Sequence, residues 1–409
     1  MSDTSEDIRE AGFKDRTRVD DAREALRAVV SQVDRTETVG LESADGRALA
    51  ESVAADLPVP HYPRAAMDGW AVRAESTFGA SERSPAVLQQ VEDGPVRNDE
   101  AVRVHTGSEI PEGADAVVKI EAVEEVGDEI EVFSRAAEGS NVGPVGEDVE
   151  SGTELYDPGH QLRPSDLGLL KSTGVETVEV RERPRVSVIP TGEELVQSDP
   201  DPGEVIETNG LTVTNLVRRW GGSPSYRDVV TDDEEALREA LEHDLDHDVI
   251  VTTGGSSVGE RDLIPEIVDE MGEVLVHGVA LKPGHPVALG VVKETPVIML
   301  PGFPVACIVN AVQFLRPAIK WAGDLRLTDQ PTFPARLDRK IPSEPGVRTF
   351  ARVSLETKEG ERVAVPTRAS GSGILSSVAL ADGWIEISEG VEGLPEDDIV
   401  AVQDWEWLP

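Results

Sequence analysis

The stretch Val249 to Asp262 reads VIVTTGGSSVGERD: a β-branched apolar run that stops abruptly in Gly254-Gly255-Ser256-Ser257. Paired glycines after a strand let the backbone turn sharply and come close to a ligand. Hydroxyls and free amides at the start of a following helix suit an anion. Lys282 and His285, in the Pro/Gly-stiffened segment LKPGHP, add a point charge and an imidazole to that set. Gly254, Gly255, Ser257, Lys282 and His285 together therefore point to anion binding. The carboxylates Asp262 and Glu194 do not suit an anion; they call for a divalent cation or a polar organic ligand between. Magnesium answers that need, because it binds one or two carboxylates along with substrate phosphates. A third loop sets Pro301 and Pro304 on either side of Gly302-Phe303, just ahead of a helix. The chain carries no Walker A or G-x-G-x-x-G pattern and no Cys/His cluster.

These loops need a scaffold that brings them together. From Arg185 to about residue 325, strand patterns alternate with helical ones, which predicts a doubly wound parallel sheet. In such a sheet ligands sit beyond the carboxyl ends of the strands, where Thr191–Glu194, the 254–262 loop and Pro301–Pro304 all fall. A strand is expected near Tyr226 to Val230. Upstream, VDDAREALRAVVSQV predicts an amphipathic helix capped by Asp20 or Asp21, and a short helix is expected over Gly46 to Glu51. Short strands broken by Gly/Pro turns between about residues 84 and 149 suggest a small β-rich module. The same texture returns from Thr332 onward as a barrel or sandwich, with the boundary near GDLRLTDQPT.

With 409 residues, the chain is long enough for two to four domains of about 100–200 residues each. The formal charge of −41 is spread along the chain rather than gathered in a tail, and lysine is rare beside arginine. That pattern fits a solvated acidic surface that stays soluble at high salt, and it would repel nucleic-acid phosphates. The single cysteine, Cys307, excludes an intramolecular disulfide and sits in an apolar helical stretch as a buried structural residue. The sequence shows no apolar leader and no run of roughly 18 apolar residues, so a cytoplasmic protein is expected. The first residues read as disordered by composition.

Eight motifs then occur in a telling order: PRAAMDGWAV, TGSEIPEGADAVVKIE, GEDV, PTGEEL, TTGGSSVGERD, LKPGHPVALG, LPGFPVAC and GSGILSSVALADG. In this the chain resembles the MoeA/gephyrin E-domain family of molybdopterin molybdotransferases, from about Val19 to the C-terminus. The resemblance implies a homodimer with an elongated subunit. It would comprise a leader (1–17), a discontinuous linking domain (18–56 and 145–184), an inserted β-rich domain (57–144), the α/β molybdopterin-binding domain (185–325) and a C-terminal β-barrel (326–409). It implies insertion of molybdate into adenylylated molybdopterin with Mg2+-dependent release of AMP, and contacts with an adenylyltransferase and recipient molybdoenzymes. A tungstate-inserting paralogue and a non-catalytic carrier or scaffold are the alternatives.

By the same resemblance, Ser257, Lys282 and His285 fall in the oxyanion pocket, lined by Pro286 and flanked by Gly254, Gly255, Pro301 and Pro304. Asp262 and Ser372 lie near the pterin and its metal, and Arg348 stands for a barrel arginine. Glu194 and Asp148 are carboxylates linked to activity, with Asp262 and Glu194 as magnesium ligands. Asp68 and Thr106 come from the partner subunit. The chain departs from the family at His285, where relatives often carry a second lysine, at Phe303 and Ala306, where they have PGNPVS, and at Gly143, where an arginine is common.

Overall fold

Strands whose every side chain is apolar or small must be covered on both faces, and Val249–Thr253 and Thr295–Leu300 are buried along their whole length. The computed structural model describes residues 16–254, 263–367 and 371–407. In it these strands lie at the middle of a six-stranded sheet ordered Ser223–Tyr226, Arg185–Pro190, Val249–Thr253, Thr295–Leu300, Ala288–Val292, Glu273–His277. The first four are parallel. Ala288–Val292 pairs antiparallel with both of its neighbours and so alone runs against the others, against the expectation of a wholly parallel sheet. The reason is local: only Lys293 and Glu294 separate Ala288–Val292 from Thr295–Leu300, and a connection that short permits only a hairpin. The strand expected near Tyr226 to Val230 ends at Tyr226 instead.

Alternate residues of the sheet feed two cores. Val186, Val188, Val249, Val251, Ile298 and Leu300 face one, while Ile189, Ile250, Val297 and Met299 face the other. Helices Glu234–His243 and Leu263–Met271 cover the second face. The first face takes Asn209–Arg219, the helix beginning at Pro304, and the amphipathic helix Val19–Val29, which the resemblance had put in the linking domain. Neither Asp20 nor Asp21 caps this last helix. Its N-cap is Arg18, and the Asp20 carboxylate is drawn instead to Arg348 at 2.8 and 3.1 Å.

After Ala322 the chain builds a five-stranded closed barrel, because Arg348–Lys358 pairs with both Glu361–Pro366 and Gly383–Ile387 while Ile399–Gln403 and Thr332–Leu337 complete the ring. One end of the barrel joins the α/β core. Phe350, Trp384 and Trp405 belong to the same apolar cluster as the sheet, with Trp384 stacked on Trp405 at 5.2 Å and donating its Nε1–H to Gln403. Short strand Leu281–Lys282 adds to the barrel strand at Arg348–Thr349. The LKPGHP turn is thereby stitched between the two layers.

Residues Thr38–Asp45 and Leu49–Val180 form a second compact unit. One part is a curled six-stranded sheet ordered Ala116–Lys119, Gly69–Val72, Glu100–Val104, Ala86–Val91, Glu129–Val132, Val123–Val126, closed over Trp70, Leu88 and Ile130. The other packs Leu41, Leu49, Leu162 and Leu170 beneath helix Pro164–Ser172. Asp166 anchors that helix: although nearly buried, it accepts hydrogen bonds from Tyr156, His160 and both the backbone and guanidinium of Arg163. Burial alone would raise its pKa, but these donors hold the carboxyl well below the usual carboxylate range. The helix expected over Gly46 to Glu51 is absent. Gly46 adopts φ +72°, outside helical space, and a 3-10 turn over Leu41–Ser43 precedes it.

Candidate active site

The carboxyl ends of three strands converge where strand order reverses. Gly254 has φ +126°, and a Cβ there would lie 2.1 Å from the Thr191 carbonyl oxygen, so no other residue fits. A Cβ on Gly302 would stand 3.4 Å from the Gly254 Cα, so the third loop closes over the second. Asn209, at the start of its helix, donates from Nδ2 to the Gly302 carbonyl at 2.7 Å. The LKPGHP turn is fixed by Asn310, whose Nδ2 donates to Gly284 O and Ala306 O at 2.9 and 2.8 Å.

A cleft of about 1130 Å³ opens above these loops and is bounded on its far side by the barrel. Glu194, Gly254, Lys282, His285, Pro286, Pro301, Pro304 and Ser372 line it. Gly255, Ser257 and Asp262 lie outside the described residues. Arg348 does not line the cleft. It is only 8% exposed and is held by Asp20 and Glu389, the latter at 3.0 Å, so its charge is spent inside the fold. Arg352, further along the same barrel strand, lines the cleft in its stead, with Arg339 and Lys340 beside it. The sequence signal for Arg352 was its place on the face shared with Arg348 of an alternating strand.

Charge in the cleft runs against that of the chain. Four cationic side chains (Lys282, Arg339, Lys340, Arg352) line it with two carboxylates, Glu194 and Glu207, among the described residues. Glu207 is already engaged, accepting from Gly210 N at 2.6 Å and from the Tyr226 hydroxyl. In a protein of net charge −41 such an excess marks an anion site. At the back, the hydroxyls of Thr191 and Thr253, each 1% exposed, have no hydrogen-bond partner among the described residues. Buried polar atoms in this state call for a partner. Burial, together with the charge of Arg16, pushes the His285 imidazole below its ordinary pKa, so it is neutral near pH 7. Burial and the adjacent Glu194 charge raise the Asp232 carboxyl.

Asp68 and Thr106 belong to the second unit, where they meet: the Asp68 carboxylate accepts from the Thr106 amide and hydroxyl at 2.7 and 2.8 Å. Asp148, also there, bonds through its backbone to Val59. Cys307 is wholly buried, and burial pushes its thiol far up, which makes it inert.

A doubly wound domain with a cationic cleft at its strand ends, walled by a barrel, defines the class of α/β protein that takes ligands beyond the carboxyl ends of its strands. Residues 17–174 match the family described as MoeA N-terminal region (domain I and II), 187–321 the probable molybdopterin binding domain, and 334–405 the MoeA C-terminal region (domain IV). The chain is 33% identical to a molybdopterin molybdenumtransferase of Bacillus subtilis, with 91% of this chain and 92% of that protein covered. It is also 33% identical to molybdopterin molybdenumtransferase 2 of Mycobacterium tuberculosis, with 87% and 91% covered. Crystal structures of MoeA protein from Pyrococcus horikoshii align with TM-scores of 0.80 and 0.74 at 34% and 32% identity, covering 96% and 95% of this chain and 100% and 99% of those. The chain belongs to the MoeA family.

Proposed function

We propose that this protein is a molybdopterin molybdotransferase, inserting molybdate into adenylylated molybdopterin and releasing AMP. The observation that carries the reading is the cationic cleft at the strand ends of a strongly acidic chain, in a family whose relatives are named molybdopterin molybdenumtransferase. Lys282 and Arg352 offset the charge of the oxyanion, and the Thr191 and Thr253 hydroxyls supply hydrogen bonds at the back. His285 contributes a neutral N–H rather than a second positive charge. Fixing oxyanion and dithiolene side by side turns their encounter into a unimolecular step, with no covalent bond to the protein.

Magnesium suits this carboxylate chemistry: Glu194 lines the cleft, and burial first, then the Glu194 charge, raises the nearby Asp232 carboxyl, a state that a cation would relieve. Glu194 and Asp262 would hold the ion together with substrate phosphates, and it would neutralise charge on the phosphate that leaves as AMP. In this reading the protein is a cytoplasmic homodimer in which the Asp68–Thr106 pair completes the partner's site, Asp148 is a carboxylate linked to activity, and its acidity is an adaptation to salt. No helix among the described residues is long and apolar enough to cross a membrane. Ser257 joins the oxyanion pocket, and Ser372 faces the pterin.

The test is to incubate the protein with magnesium and adenylylated molybdopterin and to follow AMP release against added molybdate or tungstate. Molybdate-stimulated release is expected. Stimulation by tungstate alone would make it a tungstate-inserting enzyme, and binding without release under either oxyanion would make it a carrier.

A further inference from the structure

Phe303 is 61% exposed, yet it sits on the lip of a ligand cleft rather than on open surface. Isolated apolar residues on a surface need no explanation, but the backbone of this one is hydrogen-bonded into its surroundings. It is the N-cap of helix Pro304–Asn310, and its carbonyl accepts from Cys307 N at 2.9 Å. The Asn209 side chain holds the preceding Gly302 carbonyl. Val305 N donates to Ser372 O at 2.9 Å, which draws the 371–373 loop alongside, and a Cβ on Gly373 would lie 3.3 Å from Phe303 Cδ1. The ring edge thus comes close to Gly373, and both residues line the cleft. Exposed Val205 and Ile206 line the same cleft, while Lys282, Arg339, Lys340 and Arg352 supply its charge. One cleft therefore carries both an apolar platform and a cationic wall.

We propose that Phe303 is the stacking platform for a planar heterocycle of the substrate, with its anionic groups directed at the cationic side chains. The proposal rests on the transferase reading, in which the substrate carries two such heterocycles, an adenine and a pterin. Aromatic stacking tolerates any π-face, so the chemistry recognised is a flat, electron-poor ring joined to phosphate.

The experiment uses the full chain and two probes, AMP and 6-carboxypterin, titrated by calorimetry and by pterin fluorescence against wild type, Phe303→Tyr, Phe303→Leu and Phe303→Asn. Melting curves check that each variant folds. Phe303→Leu and Phe303→Asn are expected to weaken one probe by about 5- to 100-fold, while Phe303→Tyr holds it near wild type. Loss confined to AMP identifies the adenine as the stacked ring, and loss confined to 6-carboxypterin identifies the pterin. Equal affinities of all four proteins for both probes, or a wild type that binds neither, would overturn the proposal. Molybdate-stimulated AMP release by the wild type is measured in parallel, so failure of the transferase reading shows there and failure of the platform shows in the titrations.

Discussion

Two arginines on one strand have different work. Arg352 lines the cleft, and Arg348 binds Asp20 and Glu389 within the fold. Replacing Arg352 with alanine should raise the half-saturating molybdate concentration by roughly 10- to 100-fold, as expected for a lost charge-assisted hydrogen bond. Replacing Arg348 with methionine should instead lower stability by about 2–3 kcal/mol, because it leaves the carboxylates of Asp20, Glu386 and Glu389 without their shared cation. Denaturant titration and molybdate kinetics on both variants separate the two roles; the reverse assignment of effects would refute this. His285 has its own signature. Its pKa lies below 6.5, so it is neutral above that pH, and a positive charge appears only as pH falls below it. Molybdate affinity should therefore be flat from about pH 7 to 8 and tighten only on acidification below about 6.5, a rise that His285→Gln removes. Residues with a distinctive neighbourhood, such as Gly254 and Lys282, were legible in the sequence. Arg348 was misread because its partner Asp20 is remote in the chain, and no local pattern reports such a pairing. The thresholds of burial at Thr191 and Thr253 were invisible for the same reason: a threonine at a strand end looks alike whether or not its hydroxyl is satisfied.

At the scale of elements, alternating strand and helix patterns predicted the sheet, because burial on both faces imposes continuous apolar runs. The reversed strand Ala288–Val292 followed from a loop length rather than from composition. The Val19–Val29 helix was recognised as amphipathic, but periodicity says only that it has an apolar face, not which core receives it. Two turns hold the site and can be tested. In Gly254→Ala the new methyl meets the Thr191 carbonyl, so the strand ends must part and AMP release should fall at least tenfold. Normal turnover in that variant would show that the loops do not need to converge. In the second unit, Asp166 has its pKa depressed below 3.8, so its contribution is present above that pH and is lost as pH falls through the folded value. Asp166→Asn should destabilise the unit by about 1–3 kcal/mol near neutrality, with the gap to wild type narrowing in acid. A gap that stays constant with pH would assign the effect to packing.

The whole molecule carries −41 charges, and among the described residues the cleft gathers an excess of the opposite sign. Self-repulsion on that scale is screened by salt, with a Debye length of about 10 Å at 0.1 M and about 3 Å at 1 M. The melting temperature should rise with sodium chloride well beyond the first few hundred millimolar, while molybdate binding in the cleft weakens over the same range. A melting temperature independent of salt would remove self-repulsion as a factor. The apolar cluster that joins sheet and barrel has a kinetic meaning as well. It takes Val19 from the first described helix and Trp405 from the last turn, so its closure waits on contacts spanning nearly the whole described sequence. Contacts that distant are slow to find. During synthesis the α/β strands can emerge and pair, yet the ribosome must release Trp405 before the barrel can settle against them. Until then the cleft has one wall, and a nascent chain would bind no substrate.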